Sequence, residues 1–209
     1  MKIYDWHIAP NPRRLHIYLS EKNLKVELVE VGQEDFTLAS WFKQRYPHAM
    51  VPMLELDDGT QIGEAMAIAR YFEETVPEPK LMGGDAKERA VVAMWEKRAN
   101  EEGMLPASEL FRNTHPAFCE RGLPGAADAI PAIPELRERG RARLGRFFAK
   151  FDRQLADNEF VAGDHWSVAD ATTLCAVDFA GWSDVKIPPE CGHLQRWYDA
   201  VSARPSAKA

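Results

Sequence analysis

A chain of 209 residues, 45% hydrophobic and 28% charged, has the material for one large or two small packed cores. Its net charge of −6, with no basic run long enough to serve as a tail, argues against nucleic acid or an anionic membrane as the main partner. No apolar stretch approaches the roughly 20 residues of a membrane-spanning helix. Cys119, Cys175 and Cys191 are too widely spaced for a metal pattern or a disulfide framework. The expectation is a cytoplasmic protein with reduced thiols and no metal, and Met1 to Trp6 reads as a strand rather than a signal peptide.

In chain order, residues 2–6 predict a short strand and 8–12, rich in proline, a loop. A helix then runs to about Asn23 with Leu15, Tyr18 and Leu19 on one face. Residues 25–31 alternate with period two, as a half-exposed strand does. A short helix over 37–45 carries Leu38, Trp41 and Phe42. Met53 to Leu56 and Thr60 to Ile62 predict two strands joined by Asp57-Asp58-Gly59, where Asp-Gly suits a turn that needs φ > 0. Gly63-Glu64 opens a helix to residue 75 with Ile68, Ala69 and Phe72 on its buried face. The order is β-α-β-α-β-β-α.

Val76-Pro77-Glu78-Pro79 and Gly83-Gly84 mark a boundary. The predicted division is a first domain over 1–76, a linker over 77–85 and an all-helical domain over 86–209. Residues 86–112 predict one long helix kinked near Gly103 or Pro106. Residues 113–134 predict a long irregular connection, and 135–156 a second long helix with Leu144, Phe147, Phe148, Phe151 and Leu155 as its stripe. Ser167 and Asp170 have the spacing of a capping box, followed by a buried face of Val168, Ala171, Thr172, Cys175 and Phe179. A last helix covers about 190–203.

Three segments carry a family resemblance. Met50-Val51-Pro52-Met53, the Asp-Gly hairpin and Glu64-Ala65 resemble the glutathione-binding half of the glutathione S-transferases. Phe160-Val161-Ala162-Gly163-Asp164 with Ser167-Val168-Ala169-Asp170 resembles the capping motif of that family's helical domain. Trp197-Tyr198 and Ala203-Arg204-Pro205 look like its C-terminal end. The resemblance implies a thioredoxin-like N-terminal domain with a mixed four-stranded sheet, plus an all-α C-terminal helical bundle. It also implies a cis proline at Val51-Pro52, a homodimer, and glutathione as cosubstrate with no metal. The loop Ala9-Pro10-Asn11-Pro12-Arg13-Arg14 is similar to the Ser-Pro-Asn-Pro-Arg-Arg loop of bacterial theta- and nu-like members, with Ala9 in the serine's place.

The same resemblance assigns candidate residues. Met50, Val51 and Pro52 would pair with the cysteinyl backbone of glutathione. Glu64 and Ala65, at a helix N-terminus, would meet its γ-glutamyl carboxylate. The family's motif ends Glu-Ser, so Ala65 forgoes a hydroxyl bond worth about 1.5–3 kcal/mol. His48, with Lys43 and Arg45 as neighbours, is the candidate for the glycyl carboxylate, and it equally suits a solvated surface position. At the sulfur Ala9 has no hydroxyl, and Tyr4 lies within the first strand. That leaves Asn11, whose amide N–H₂ can donate to the thiolate, and the dipole of the first helix. His115 can hold a water that takes the thiol proton, or simply stop the helix before Pro116. Trp6, His7, Ile8, Phe111, Asn113, Thr114 and Phe118 would line a hydrophobic acceptor pocket between the domains.

The leading expectation is a glutathione transferase that directs the thiolate at a hydrophobic alkyl or aryl electrophile. The alternatives are a glutathione-dependent disulfide or peroxide reductase, and a non-catalytic binding or regulatory module of the same fold.

Overall fold

The computed structural model describes residues 1–46, 48, 50–124 and 129–209. The chain divides into two compact units, Met1–Pro79 and Lys80–Lys208. The first runs β1 (Lys2–Asp5), α1 (Pro10–Glu21), β2 (Glu27–Glu30), α2 (Ser40–Arg45), β3 (Met53–Glu55), β4 (Gln61–Gly63) and α3 (Ala65–Thr75). Its sheet has the order β2-β1-β3-β4, with β1 parallel to β2 and antiparallel to β3, and β3 antiparallel to β4. This is the mixed thioredoxin-like sheet in the predicted element order.

Period-two alternation builds two buried faces. Tyr4 pairs with Met53, and both join Val31, Phe42 and Tyr46 in one apolar cluster under α2. Ile3 pairs with Leu54, and both are fully buried on the opposite face. There α1 and α3 pack against each other, with Leu15, Tyr18 and Leu19 and then Ile68, Ala69 and Phe72 buried. A buried lysine ties the ends of these helices. Lys22 Nζ donates to the carbonyls of Val76 (2.7 Å) and Pro77 (3.1 Å) and pairs with Glu73 (2.8 Å), which also accepts from the Tyr18 hydroxyl. Its positive charge thus sits on carbonyls at the C-terminal end of α3, where the helix dipole favours it.

The predicted strand over 25–31 is shorter, Glu27–Glu30, and mostly exposed. It is an edge strand, held by β1 alone, and nothing beyond it buries its outer residues. The predicted helix over 37–45 begins only at Ser40, because Leu38 is drawn into a bridge with Gly32.

The second unit runs α4 (Ala86–Ala99), a π-helical turn (Asn100–Met104), α5 (Leu105–Arg112), a 3₁₀ turn (Pro116–Phe118), α6 (Leu136–Ala156), α7 (Val168–Gly181) and α8 (Gly192–Ser202). The single helix expected over 86–112 is therefore broken by the π turn. Pro106 has no N–H for the carbonyl four residues back, and its ring crowds that carbonyl. The helix accommodates it by widening, with Leu105 N–H donating to Asn100 C=O. Gly103 lies in the wide turn because a Cβ there would come within 2.8 Å of both Ala176 and Phe147. Within the predicted irregular connection over 113–134, residues 125–128 lie outside the described residues.

The predicted buried face of α7 is buried, but so is nearly the whole of its circumference. The helix is packed by α4, the π turn, α5 and α8, which makes it the axis of this unit. Among the described residues no helix is long and apolar enough to cross a membrane.

Asp170 closes the start of α7. It is fully buried, and its carboxylate accepts from Val161 N–H (2.9 Å), Trp197 Nε1–H (2.9 Å), Ser167 N–H (3.0 Å) and Ser167 Oγ–H (3.2 Å). One side chain thus completes the capping box and joins the turn before α7 to α8. Truncating it orphans buried donors in three places. Asp170→Ala is expected to cost about 3–5 kcal/mol in urea unfolding, and Ser167→Ala about 1 kcal/mol. Burial raises the Asp170 carboxyl to about 6, above its unfolded value near 3.9. The folded state holds this proton more tightly, so the group's contribution to stability falls as pH rises from about 4 to about 6. Wild type is expected to lose stability over that window relative to Asp170→Ala.

Candidate functional site

The first cluster of candidate residues lies where β1 hands over to α1. Ala9 N–H donates to Trp6 C=O (2.8 Å), and Ala9 takes the N-cap position with no side chain to cap the helix. Pro10 and Pro12 have no N–H, and Arg13 N–H is already bonded to Ala9 C=O (3.1 Å). Asn11 therefore supplies the only unbonded main-chain donor of the first turn, and its side-chain amide stands at the same place. Asn11 is half-buried, and its side chain makes no hydrogen bond among the described residues. Arg14 is buried, not displayed to solvent.

The preceding loop is held by residues that sequence reading passed over. Glu30 accepts from the main-chain N–H groups of His7 (3.2 Å) and Gly32 (3.0 Å) and pairs with His7 Nδ1 (3.0 Å). Trp6 lies so close to Gly32 that a Cβ there would come within 1.9 Å of its ring. His16 donates Nε2–H to Asp5 (2.9 Å) in a nearly buried pair that joins α1 to the end of β1. A glycine directly after a strand was the available signal for the first contact. Nothing in the sequence marks the His16–Asp5 pair. Trp6 and His7 are thus engaged within this loop, and Ile8 is exposed.

The second cluster lies at the mouth of the β3–β4 hairpin. The Val51-Pro52 peptide is cis. Val51 stands outside the strand ladder, and its main-chain N–H and C=O have no partner among the described residues. The register that pairs Met53 with Gly63 brings this edge alongside Glu64-Ala65. Glu64 has φ 65° and ψ 121° and lies exposed at the N-cap of α3. A non-glycine residue at positive φ and strand-like ψ holds on the order of 1–3 kcal/mol of strain. Its carbonyl accepts from Ala67 and Ile68 N–H (3.0 Å each), which leaves the Ala65 and Met66 N–H groups unbonded at the dipole's positive end. The Ala65 side chain is fully buried.

The remaining candidates of this unit are less concentrated. Met50 and His48 are exposed; the residues flanking His48 lie outside the described set. Arg45 is drawn to Glu55 (3.6 Å) and stacks on the Tyr46 ring (5.4 Å). Tyr4 is packed, as its place in β1 suggested. Its hydroxyl lies 2.8 Å from that of Tyr46, which donates its proton to Glu55. Burial and these bonds push the Tyr46 hydroxyl up, while the Tyr46 bond holds Glu55 below the usual carboxylate range.

His115 belongs to the helical unit. It caps the 3₁₀ turn, its Nδ1 accepting from Ala117 N–H (3.2 Å), which places the ring proton on Nε2. The ring rests on Phe111 (5.1 Å) and Phe118 (5.8 Å), and Phe111 also meets Phe179 and Trp182. Arg112 fixes this segment by donating to the carbonyls of Gly122 (3.1 Å) and Arg121 (2.6 Å) and stacking on Phe118. Asn113, expected in an acceptor pocket, is instead buried structure: it donates to Glu109 C=O (2.7 Å) and accepts from Ile133 N–H (2.6 Å).

Comparison with known proteins decides the family. Residues 3–80 match the model of the glutathione S-transferase N-terminal domain, and residues 115–205 that of the C-terminal domain. Glutathione S-transferase 2 of Saccharomyces cerevisiae is 34% identical over the whole chain, which covers 88% of that protein. The chain belongs to the glutathione S-transferase family. A solved structure of a glutathione S-transferase domain-containing protein from Marinobacter aquaeolei VT8 is 36% identical with a TM-score of 0.86, covering 99% of each chain. Elongation factor 1-gamma 2 of Saccharomyces cerevisiae is 27% identical over 97% of the chain, which spans 47% of that protein.

Two substitutions test whether the N-terminus of α3 receives an anion. Glu64→Gly relaxes the strained backbone and is expected to raise thermal stability by about 1 kcal/mol while weakening glutathione binding. Ala65→Ser adds the hydroxyl and is expected to tighten glutathione about tenfold by calorimetry.

Proposed function

We propose that the protein is a glutathione transferase that binds glutathione in its first unit and directs the thiolate at a hydrophobic alkyl or aryl electrophile. The observation that carries this reading is the unpaired Val51 backbone beside the unbonded Ala65 and Met66 amides. A strand edge next to a helix N-terminus matches the chemistry of a γ-glutamyl peptide: main-chain pairing for the cysteinyl unit, and donors with a positive dipole for the carboxylate. Met50 and Pro52 shape this edge, Glu64 turns the helix into it, and His48 meets the glycyl carboxylate.

Activation of the thiol falls to Asn11. Next to Ala9, which offers no hydroxyl, Asn11 combines the free main-chain N–H of the first turn with a side-chain N–H₂, both at a helix N-terminus. Donors to sulfur and the helix dipole each favour the thiolate over the thiol. The loop is of the theta/nu-like bacterial type in this reading. His115 contributes by holding a water that takes the thiol proton. The enzyme works as a homodimer in the cytoplasm, with no metal. The first domain comprises residues 1–76, joined by a linker over 77–85 to the helical domain.

A second reading has an observation of its own. Ala9 and Ala65 both lack the hydroxyls usual at those places, and one relative is named for translation elongation, not for transfer. In that reading the fold serves as a binding module without turnover.

Steady-state conjugation of glutathione to an aryl halide separates the two. The transferase reading expects saturable turnover, with Asn11→Ala reducing kcat about 10- to 100-fold at neutral pH, the worth of one hydrogen bond to a charged group. Because the thiolate then loses its stabilisation, the deficit should shrink as pH rises toward the solution pKa of the thiol. Absence of turnover in wild type across a panel of electrophiles favours the module.

A further inference from the structure

A carboxylate is held against the apolar cluster that underlies the Val51 edge. Glu55, the last residue of β3, has a side chain only 13% exposed. It accepts from the Tyr46 hydroxyl, and the Tyr4 hydroxyl (3.4 Å), Lys2 Nζ (3.6 Å) and the Arg45 guanidinium (3.6 Å) stand around it. Tyr46 is 2% exposed, and its ring lies against those of Tyr4 (5.0 Å) and Phe42 (5.1 Å). A phenylalanine would fill the same space without burying a hydroxyl. What the hydroxyl adds is direction. The ring orientation that reaches Glu55 is favoured over every other, as when a buried polar pair fixes register within an apolar contact.

The pair brackets the stretch of chain that carries the glutathione candidates. Tyr46 is the C-cap of α2, and Glu55 ends β3 nine residues later. Between them stand His48, Met50, Val51 and Pro52. Tyr46 N–H donates to Phe42 C=O (2.9 Å), which ties the start of this stretch to α2. The pairing of Tyr4 with Met53 ties its end to the sheet. The Val51 side chain packs on the cluster formed by Tyr4, Val31, Phe42, Tyr46 and Met53, while its main chain stays outside the strand ladder.

We propose that Tyr46 and Glu55 are positioning residues for glutathione: their hydrogen bond sets where the Val51 main chain meets the cysteinyl unit. This role rests on the transferase reading given above and names the side chains that hold its strand edge in place. Both act through Val51, and neither is a catalytic residue. Main-chain hydrogen bonds weaken steeply when misaligned, so a small shift of Val51 lowers affinity while the domain stays folded.

Tyr46→Phe keeps the ring and removes the bond. Calorimetric titration of glutathione, well below the unfolding midpoint so that the variant is fully folded, is expected to show binding about five- to tenfold weaker than wild type. In steady-state conjugation the KM for glutathione should rise by the same factor, with kcat at saturation held within about twofold. Glu55→Leu should match this loss. Glu55→Gln, which keeps an acceptor oxygen for Tyr46, should restore most of the affinity. Tyr46→Phe/Glu55→Leu should bind no more weakly than either single variant, because both remove the same bond. A glutathione analogue methylated at the cysteinyl amide nitrogen cannot donate to Val51, and wild type and Tyr46→Phe should bind it alike. A lowered Tm in Tyr46→Phe with unchanged glutathione affinity overturns the proposal, since the pair then serves stability alone. Additive losses in the double variant overturn it too. Wild type that binds no glutathione overturns the transferase reading itself, and this role falls with it.

Discussion

The turn at Glu64 is the constraint on which the candidate site depends. At that residue β4 ends, α3 begins, and the backbone takes a positive φ that a glutamate adopts only under strain. The fold around it keeps the turn in place. Leu54 and Met53 are buried on opposite faces of the sheet, and Ala65, Ile68 and Ala69 are buried under α3. A turn with a different φ would pull one of these sets out of its core. The strain aims two unbonded amides along the axis of a helix whose dipole is positive at that end, directly beside a strand edge with free hydrogen-bonding groups. An anionic peptide is the ligand that satisfies both features at once.

The proposed thiol end of the site follows a different logic. At α1 the sequence removes donors: Pro10 and Pro12 have no N–H and Ala9 has no hydroxyl, so the first turn presents Asn11 alone. The loop that positions it is held by acids that are already occupied, Glu30 on main-chain amides and Asp5 on His16. The helical unit is held with the same economy. Asp170 gathers four donors from three segments, and α7, buried around its circumference, is the surface on which α4, α5 and α8 pack.

The element order and the two-unit plan were legible because period, proline and glycine spacing all point the same way. The Ser167–Asp170 capping box is a local motif, complete within four residues, and it forms as read. The kink near Gly103 and Pro106 was legible in place but not in kind. A missing N–H predicts a break, whereas its resolution as a π turn, and the close approach of Ala176 and Phe147 to Gly103, depend on the tertiary packing. What could not be read was long-range. The His16–Asp5 pair, the hold of Lys22 on the end of α3 and the burial of Asn113 all join residues distant in sequence through side chains with no periodic signature. In the candidate site, Val51-Pro52 and Glu64-Ala65 were legible as a family pattern. The positive φ of Glu64 was not, because glutamate gives no hint of it.

The most direct measurement of the central claim is calorimetric titration of glutathione, alongside its analogue lacking the γ-glutamyl carboxylate. The account predicts one site per chain with a micromolar-to-millimolar Kd, and at least about tenfold weaker binding of the analogue, since the Ala65 and Met66 amides lose a charged partner. Equal affinity for the two would contradict the role of the α3 N-terminus. No binding of either would contradict the glutathione site itself.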